Sequence, residues 1–419
     1  MFNLYFWAMA LLAVAFPAWM LQLNRLNLKH MRSGCPKELE GLYTPEEQEK
    51  ALAFQAHGNK FGAVSNVAHV GVKLAFLFFG VYGLLENLAA RVPGGLMAQA
   101  AVMFAALYLW NLLLGLPFGY YFRFGLLRRH GFNRSTKKLF VADVLKNLPL
   151  GLLDALAEPV GTAFLLLAME RFFGLGKYFW VALWFFGCLV DLAMGYLWPI
   201  LIAPIFNKYT PLPEGGLRER ALALAEQTGV PFRNIYVMDS SKRHSLDNAY
   251  FTGVGNRRRC VLFDSLLEKY TTDEILAILA HEIGHYRQKR LRRLRYAIGW
   301  VLKALQYFLL SLFIQSDGIA QALGGAGASF CLGFAAMGLL WHPLEAWLQP
   351  LHIFIGRKME LDADRYAAAC GFGEGMVSGL KKLYVKNLGN YNRHPLMGKW
   401  CVPHPTLVER VAFIEEAMK

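Results

Sequence analysis

Seven apolar runs divide the chain, at residues 3–22, 66–90, 97–122, 145–171, 178–204, 295–315 and 327–355. Each is close to the ~20 residues a helix needs to cross ~30 Å of hydrocarbon. The predicted architecture is therefore mainly α, a polytopic membrane protein of about seven transmembrane helices. The first run has no basic region ahead of it and no small-x-small cleavage site, so it reads as a retained span rather than a signal peptide. Four stretches are polar enough to lie in water. Residues 23–65 form an inner loop with a short polar helix around "TPEEQEKALAFQ", and residues 123–144 form a second. Residues 205–294 hold a predicted helix ("LRERALALAEQ") and three short runs, "NIYVMD", "NAYFTG" and "RRCVLFDSLL", whose β-branched and aromatic content reads as strands. In "PIFNKYTPLPEGGLRERALALAEQTGV", "PLPEGG" reads as loop and the rest as an amphipathic helix. Residues 356–419 read as helical.

The expected organisation is five spans with two inner loops (1–204), an aqueous catalytic segment (205–294), spans six and seven (295–355) and an aqueous helical segment (356–419).

Composition agrees with the pattern. Hydrophobic residues make up 55% of the 419, mean hydropathy is +0.30 and only 18% are charged, against about a quarter in soluble chains. With the N-terminus outside, the exterior loops carry only Arg91, Arg171 and Lys177. Lys73, Lys146 and Lys303 fall in spans, and the other 38 of 44 Lys and Arg lie inside. That bias follows the positive-inside rule and accounts for the net charge of +14 without nucleic acid. The six cysteines form no C-x-x-C pair, so neither a disulfide framework nor a cysteine metal site is expected.

The chemistry lies at "AHEIGHYRQKRLRRLR". Thr271-x-x-Glu274 is a capping box that opens a helix. On that helix His281 and His285 stack on one face, where two neutral imidazoles can share one tetrahedral zinc. Glu282, offset around the helix, can reach the attacking water without ligating the metal. Catalysis needs a third protein ligand, and "HEIGHYRQKRL" has no third histidine. Glu360 in "GRKMELDADRYAA" is the best candidate. Asp364, one turn later, would hold the tautomer of a ligand imidazole. Lys146, Asp154, Glu158, Asp191, His342 and Glu345 lie inside otherwise apolar runs, which implies a wet cavity or internal pairing.

At this point the chain resembles the type I CAAX prenyl proteases, integral-membrane gluzincin metalloendopeptidases. The resemblance rests on "FNKYTPLPEGGLRERALALAEQTGVP", "IYVMDSSKRHSLDNAYFTGVGNRRRCVLFDSLL", "EILAILAHEIGHYRQKR", "GRKMELDADRYAA" and "HPTLVERV", in the family's order, and on the earlier loop "HGFNRSTKKLFVADVLK", over residues 65–417. The chain departs from the family at Arg128 and Arg129, where acidic residues are usual, and at Gly356, often serine. The resemblance implies a helical barrel around a water-filled chamber, with a small α+β zinc peptidase domain on the cytoplasmic side and one zinc per chain. It implies substrate contact from Asn248 and an oxyanion donor in His404, although Pro405 and the Thr406-x-x-Glu409 box also mark a plain helix start. The implied substrates are prenylated, membrane-anchored peptides that lose a C-terminal tripeptide. The implied location is a bacterial cytoplasmic membrane or the endoplasmic reticulum, depending on source.

Rival readings are a quality-control protease without prenyl preference, an intramembrane protease with its motif inside a span, a smaller heat-shock-type membrane peptidase, and a transporter or scaffold with structural zinc. The motif precedes its span by about ten residues, against the intramembrane type. The heat-shock type would normally lack this many spans and the "NAYF" block.

Overall fold

The computed structural model describes residues 1–230, 234–252 and 259–419. Gly253 and Arg258, at the ends of two predicted strands, lie outside the described residues. Long helices dominate. They are α1 (Leu4–Met31), α2 (Pro45–Phe78) with the short α3 (Val81–Ala89), α4 (Gly95–Tyr121), α5 (Lys137–Phe173) and α6 (Phe179–Leu197), which ends in a π-helical turn and α7 (Ala203–Phe206). By length and composition six helical segments can cross a membrane: Leu4–Met31, Pro45–Phe78, Gly95–Leu127, Lys137–Phe173, Gly176–Phe206 and Lys289–Phe313. The seventh predicted span lies at the start of a 38-residue helix, Phe330–Ala367, whose Pro343 and Pro350 and polar side chains keep it off that set.

Two boundaries differ from the sequence reading. The helix expected to be short around "TPEEQEKALAFQ" runs unbroken into the second span. Thr44 caps it through a reciprocal box with Glu47, and nothing in the next 34 residues breaks it. The same span ends early, at Phe79 and Gly80, where φ is +61° and only glycine sits without strain.

The aqueous segment folds as α8 (Gly216–Thr228), a four-stranded sheet, and α9 (Asp264–Lys269). The three predicted strands become β2 (Asn234–Met238), β3 (Ala249–Thr252) and β4 (Arg259–Phe263). A fourth, β1 (Tyr209–Pro211), replaces the helix expected over "NKYT" and the start of the loop at Pro211: its backbone pairs with β2, and an edge strand tolerates the proline. The strand order is β1-β2-β4-β3, with β2 and β4 parallel and the other pairs antiparallel, so β3 is an edge. Behind the sheet stands α10 (Thr272–Arg287). Gln288 alone separates it from α11 (Lys289–Phe313), whose first turns carry the basic run. Then come α12 (Asp317–Ala322), α13 (Phe330–Ala367), α14 (Gly373–Lys386), α15 (Pro395–Cys401) and α16 (Leu407–Ala417).

Two apolar cores result. One joins the sheet, α10, α14 and α16 with Met31 and Ala51 from the first two helices. The other packs Phe6, Leu77, Phe179 and Tyr307 against the start of α13. Between them the helices stand apart. Of the residues of α2, only Ala51 and Leu77 are buried. The polar residues of the spans use that space. Glu158 and His342, with Lys73, Asn111 and Tyr307, line a cavity of about 490 Å³. Glu345 lines a neighbouring one that reaches Gly356. Asp191 pairs with Lys303 at 2.6 Å, and Lys146 Nζ donates to the Ile205 carbonyl at 2.9 Å.

Candidate active site

The capping box fixes where α10 begins. Thr271 Oγ1 accepts from the Glu274 N–H at 3.3 Å, and the Glu274 carboxylate accepts from the Thr271 N–H at 2.9 Å. Two turns later His281 and His285 present their imidazoles edge to face, centroids 4.7 Å apart and planes at 85°, to α13. α13 brings Glu360 and Asp364 to meet them. The helices approach closely because position 284 is glycine: a Cβ there would lie 2.8 Å from the Ala363 Cα.

His285 Nε2 is 3.2 Å from Glu360 Oε1, and His281 Nε2 is 3.6 Å from Glu360 Oε2. One ligand atom from each residue lies within 4.8 Å of the others. Tetrahedral bonds of roughly 2.0–2.2 Å separate ligand atoms by about 3.3–3.6 Å, so this donor set fits a zinc-sized ion.

Behind the imidazoles, His281 Nδ1 donates to Asp364 Oδ1 at 2.8 Å, so in the neutral tautomer that a metal ligand requires the lone pair would sit on Nε2, on the side of Glu360. Among the described residues His285 has no such support: its buried Nδ1 meets no hydrogen-bond partner there. Asp364 is fully buried and is gripped by Arg410, whose Nε and Nη2 donate to its two oxygens at 2.7 and 2.6 Å. Burial opposes charge on His281, but Asp364 and Glu360 outweigh it and push the imidazole up to about 9. Burial likewise opposes charge on Glu360, yet hydrogen bonds from His281, His285 and His404 hold its carboxyl far below the usual range. Arg410 escaped the sequence reading. One arginine in an amphipathic helix reads as solvated, and only the fold shows that it faces a carboxylate 46 residues earlier.

Glu282 lies beside the cluster. Burial raises its pKa, the two histidines partly offset that, and the backbone N–H of Phe251 on β3 donates to it. A carboxyl raised in this way is a better base near neutral pH. Asn248 lines the same cavity, of about 390 Å³, as His281, Glu282, His285, Glu360 and His404. Its Oδ1 accepts from the Ala249 N–H at 2.9 Å. His404 contacts the cluster directly, with Nδ1 2.8 Å from Glu360 Oε2, while half of its side chain stays exposed. The structure thus brings six of the seven sequence-predicted site residues to one cavity, with the seventh, Asp364, buried behind His281.

Two family models match in tandem. One is described as the CAAX prenyl protease N-terminal, five membrane helices, over residues 24–208; the other is peptidase family M48, over residues 211–418. The chain is 30% identical to a CAAX prenyl protease 1 homolog of Arabidopsis thaliana, covering 94% of this chain and 92% of that one. It is 31% identical to CAAX prenyl protease 1 of Saccharomyces cerevisiae, covering 91% and 88%. A crystal structure of S. mikatae Ste24p superposes with a TM-score of 0.87 at 28% identity, covering 98% of this chain and 99% of that one.

Proposed function

Since the chain belongs to the CAAX prenyl protease group of peptidase family M48, it is a multi-pass membrane metalloendopeptidase, and we propose that it uses one zinc ion to cleave membrane-anchored peptides three residues from their C-terminus. The observation that supports this most is the convergence of His281, His285 and Glu360, from helices far apart in sequence, at separations that suit zinc.

Bound there, the ion would acidify the attacking water toward a pKa of roughly 7 and polarise the scissile carbonyl. The chain's own groups supply the rest. Glu282 takes the water's proton and later delivers it to the leaving amine. Asp364 holds the His281 tautomer, and Arg410 holds Asp364. His404, turning from Glu360 toward the cavity, donates to the developing oxyanion. The edge of β3 at Asn248–Phe251 receives the substrate as an added strand. A site at the foot of the spans suits a lipid-anchored substrate, whose peptide bond must reach water there. The basic run at the start of α11 then anchors that helix at anionic headgroups.

The Lys and Arg asymmetry supports an N-terminus outside and a cytoplasmic site, in the endoplasmic reticulum or a bacterial inner membrane.

The test is the purified, zinc-loaded protein with farnesylated and unprenylated forms of one peptide. Cleavage of the farnesylated form at the third bond from the end is expected. Glu282→Gln should lower kcat by about 10²–10⁴ while zinc content stays at one per chain. Equal rates on both peptides would replace the prenyl reading with a general membrane protease. Full activity in Glu282→Gln would make the zinc structural.

A further inference from the structure

We propose that Arg393 is the receptor for the free C-terminal carboxylate of the substrate, and so determines where the enzyme cuts. This rests on the peptidase reading above and adds a specificity residue to it.

The active-site cavity has two guanidinium groups on its wall, Arg393 and Arg410. Arg410 is 6% exposed and committed to Asp364 through two hydrogen bonds. Arg393 is different. Its one hydrogen bond given by the structure runs from Nη1 to the His404 carbonyl at 2.9 Å, and among the described residues no carboxylate lies within ion-pair distance of it. A guanidinium has five donors in a fork that matches a carboxylate, so most of this one's capacity is unspent.

The cavity's carboxylates do not compete for it. Asp247 pairs with Lys269 at 2.7 Å, Glu360 is enclosed by three histidines, and Glu282 takes a backbone N–H.

Position gives the free fork its meaning. From the Glu360 carboxylate to Arg393 the path is one hydrogen bond to His404, at 2.8 Å, and one from its carbonyl, at 2.9 Å. His404 thus links the two groups directly, so Arg393 lies within one residue's reach of the ligand cluster, the neighbourhood that the end of a short extended tail of about 10 Å would occupy. The same cavity carries apolar side chains, Ile278, Met376, Leu380, Leu383 and Val402. A cation, apolar side chains and the His281–His285–Glu360 cluster around one cavity suit a peptide whose last three residues are apolar and whose terminus is a free carboxylate. A longer chain or an amidated end would leave the guanidinium without its partner.

The experiment uses one farnesylated peptide as the free acid and as the C-terminal amide, with the zinc-loaded, full-length protein. The wild type should cleave the acid with a kcat/KM at least about tenfold above the amide, the difference lying mainly in KM, as expected for a charged hydrogen bond. Arg393→Gln should bring the acid-to-amide ratio close to one, and Arg393→Lys should recover part of it. Fluorescence anisotropy in the Glu282→Gln background reads the same preference as binding, should the Arg393 variants turn over too slowly. A wild-type ratio near one, or a ratio that Arg393→Gln leaves intact while both rates fall, would overturn the assignment and leave the peptidase standing. Cleavage of neither peptide by the wild type would instead overturn the peptidase reading.

Discussion

Glu360 is touched by His281, His285 and His404, yet its neighbour one turn on decides how well they serve. Through its contact with His281 Nδ1 at 2.8 Å, Asp364 would fix His281 as an Nε2 ligand in the proposed zinc site. Asp364→Asn keeps the shape and loses the charge, so zinc affinity should fall about ten- to a hundredfold, read by competition with a chromogenic chelator. Arg410→Met removes the cation from a buried carboxylate and should cost about 3–5 kcal/mol of stability. Differential scanning fluorimetry in detergent reads that loss, and a melting temperature equal to wild type would show that Asp364 needs no counter-charge.

Helix α10 carries function because both of its ends and one contact are fixed. Its start is set locally by Thr271 and Glu274, and its end by Gln288. Its approach to α13 is set by Gly284, where an added Cβ would meet the Ala363 Cα at 2.8 Å. Gly284→Ala is favourable for an isolated helix by about 1 kcal/mol, yet here it must push α10 from α13. The expected outcome is reduced zinc occupancy, measured by elemental analysis, with helix content by circular dichroism unchanged. Occupancy equal to wild type would mean that the helices tolerate separation.

At the scale of the molecule, the aqueous unit is joined to the spans by charged links. Asp143 at the start of α5 accepts from Arg243 in the catalytic segment, Oδ1 at 2.7 Å and Oδ2 at 3.0 Å. Within the unit, Glu274 joins α10 to α14 through Ser378 at 2.7 Å and Lys382 at 3.0 Å. Burial opposes its charge, but these bonds and the Thr271 N–H hold its pKa below the usual value. A carboxyl depressed in the folded state stabilises fully above its unfolded pKa, roughly 4.3, and that stabilisation is lost as pH falls through the folded value. The melting temperature should therefore drop as pH falls below about 4, and drop less steeply in Glu274→Gln. Equal slopes for the two proteins would remove Glu274 from the acid transition.

The linear pattern of residues by itself determined the membrane class, the strands β2, β3 and β4, both capping boxes and the candidate ligand set. These depend on apolar run length, on period-two or period-3.6 spacing and on contacts within four residues, all of which are local. It did not determine that α2 continues through the first inner loop, that Gly80 ends it, or that β1 pairs with β2, since each depends on what the neighbouring backbone offers. The tertiary structure alone decided that Arg410 faces Asp364 and that Arg393, among the described residues, meets the His404 carbonyl and no carboxylate. A cation's role is set by the charge it meets across the fold, and chain separation carries no record of that meeting.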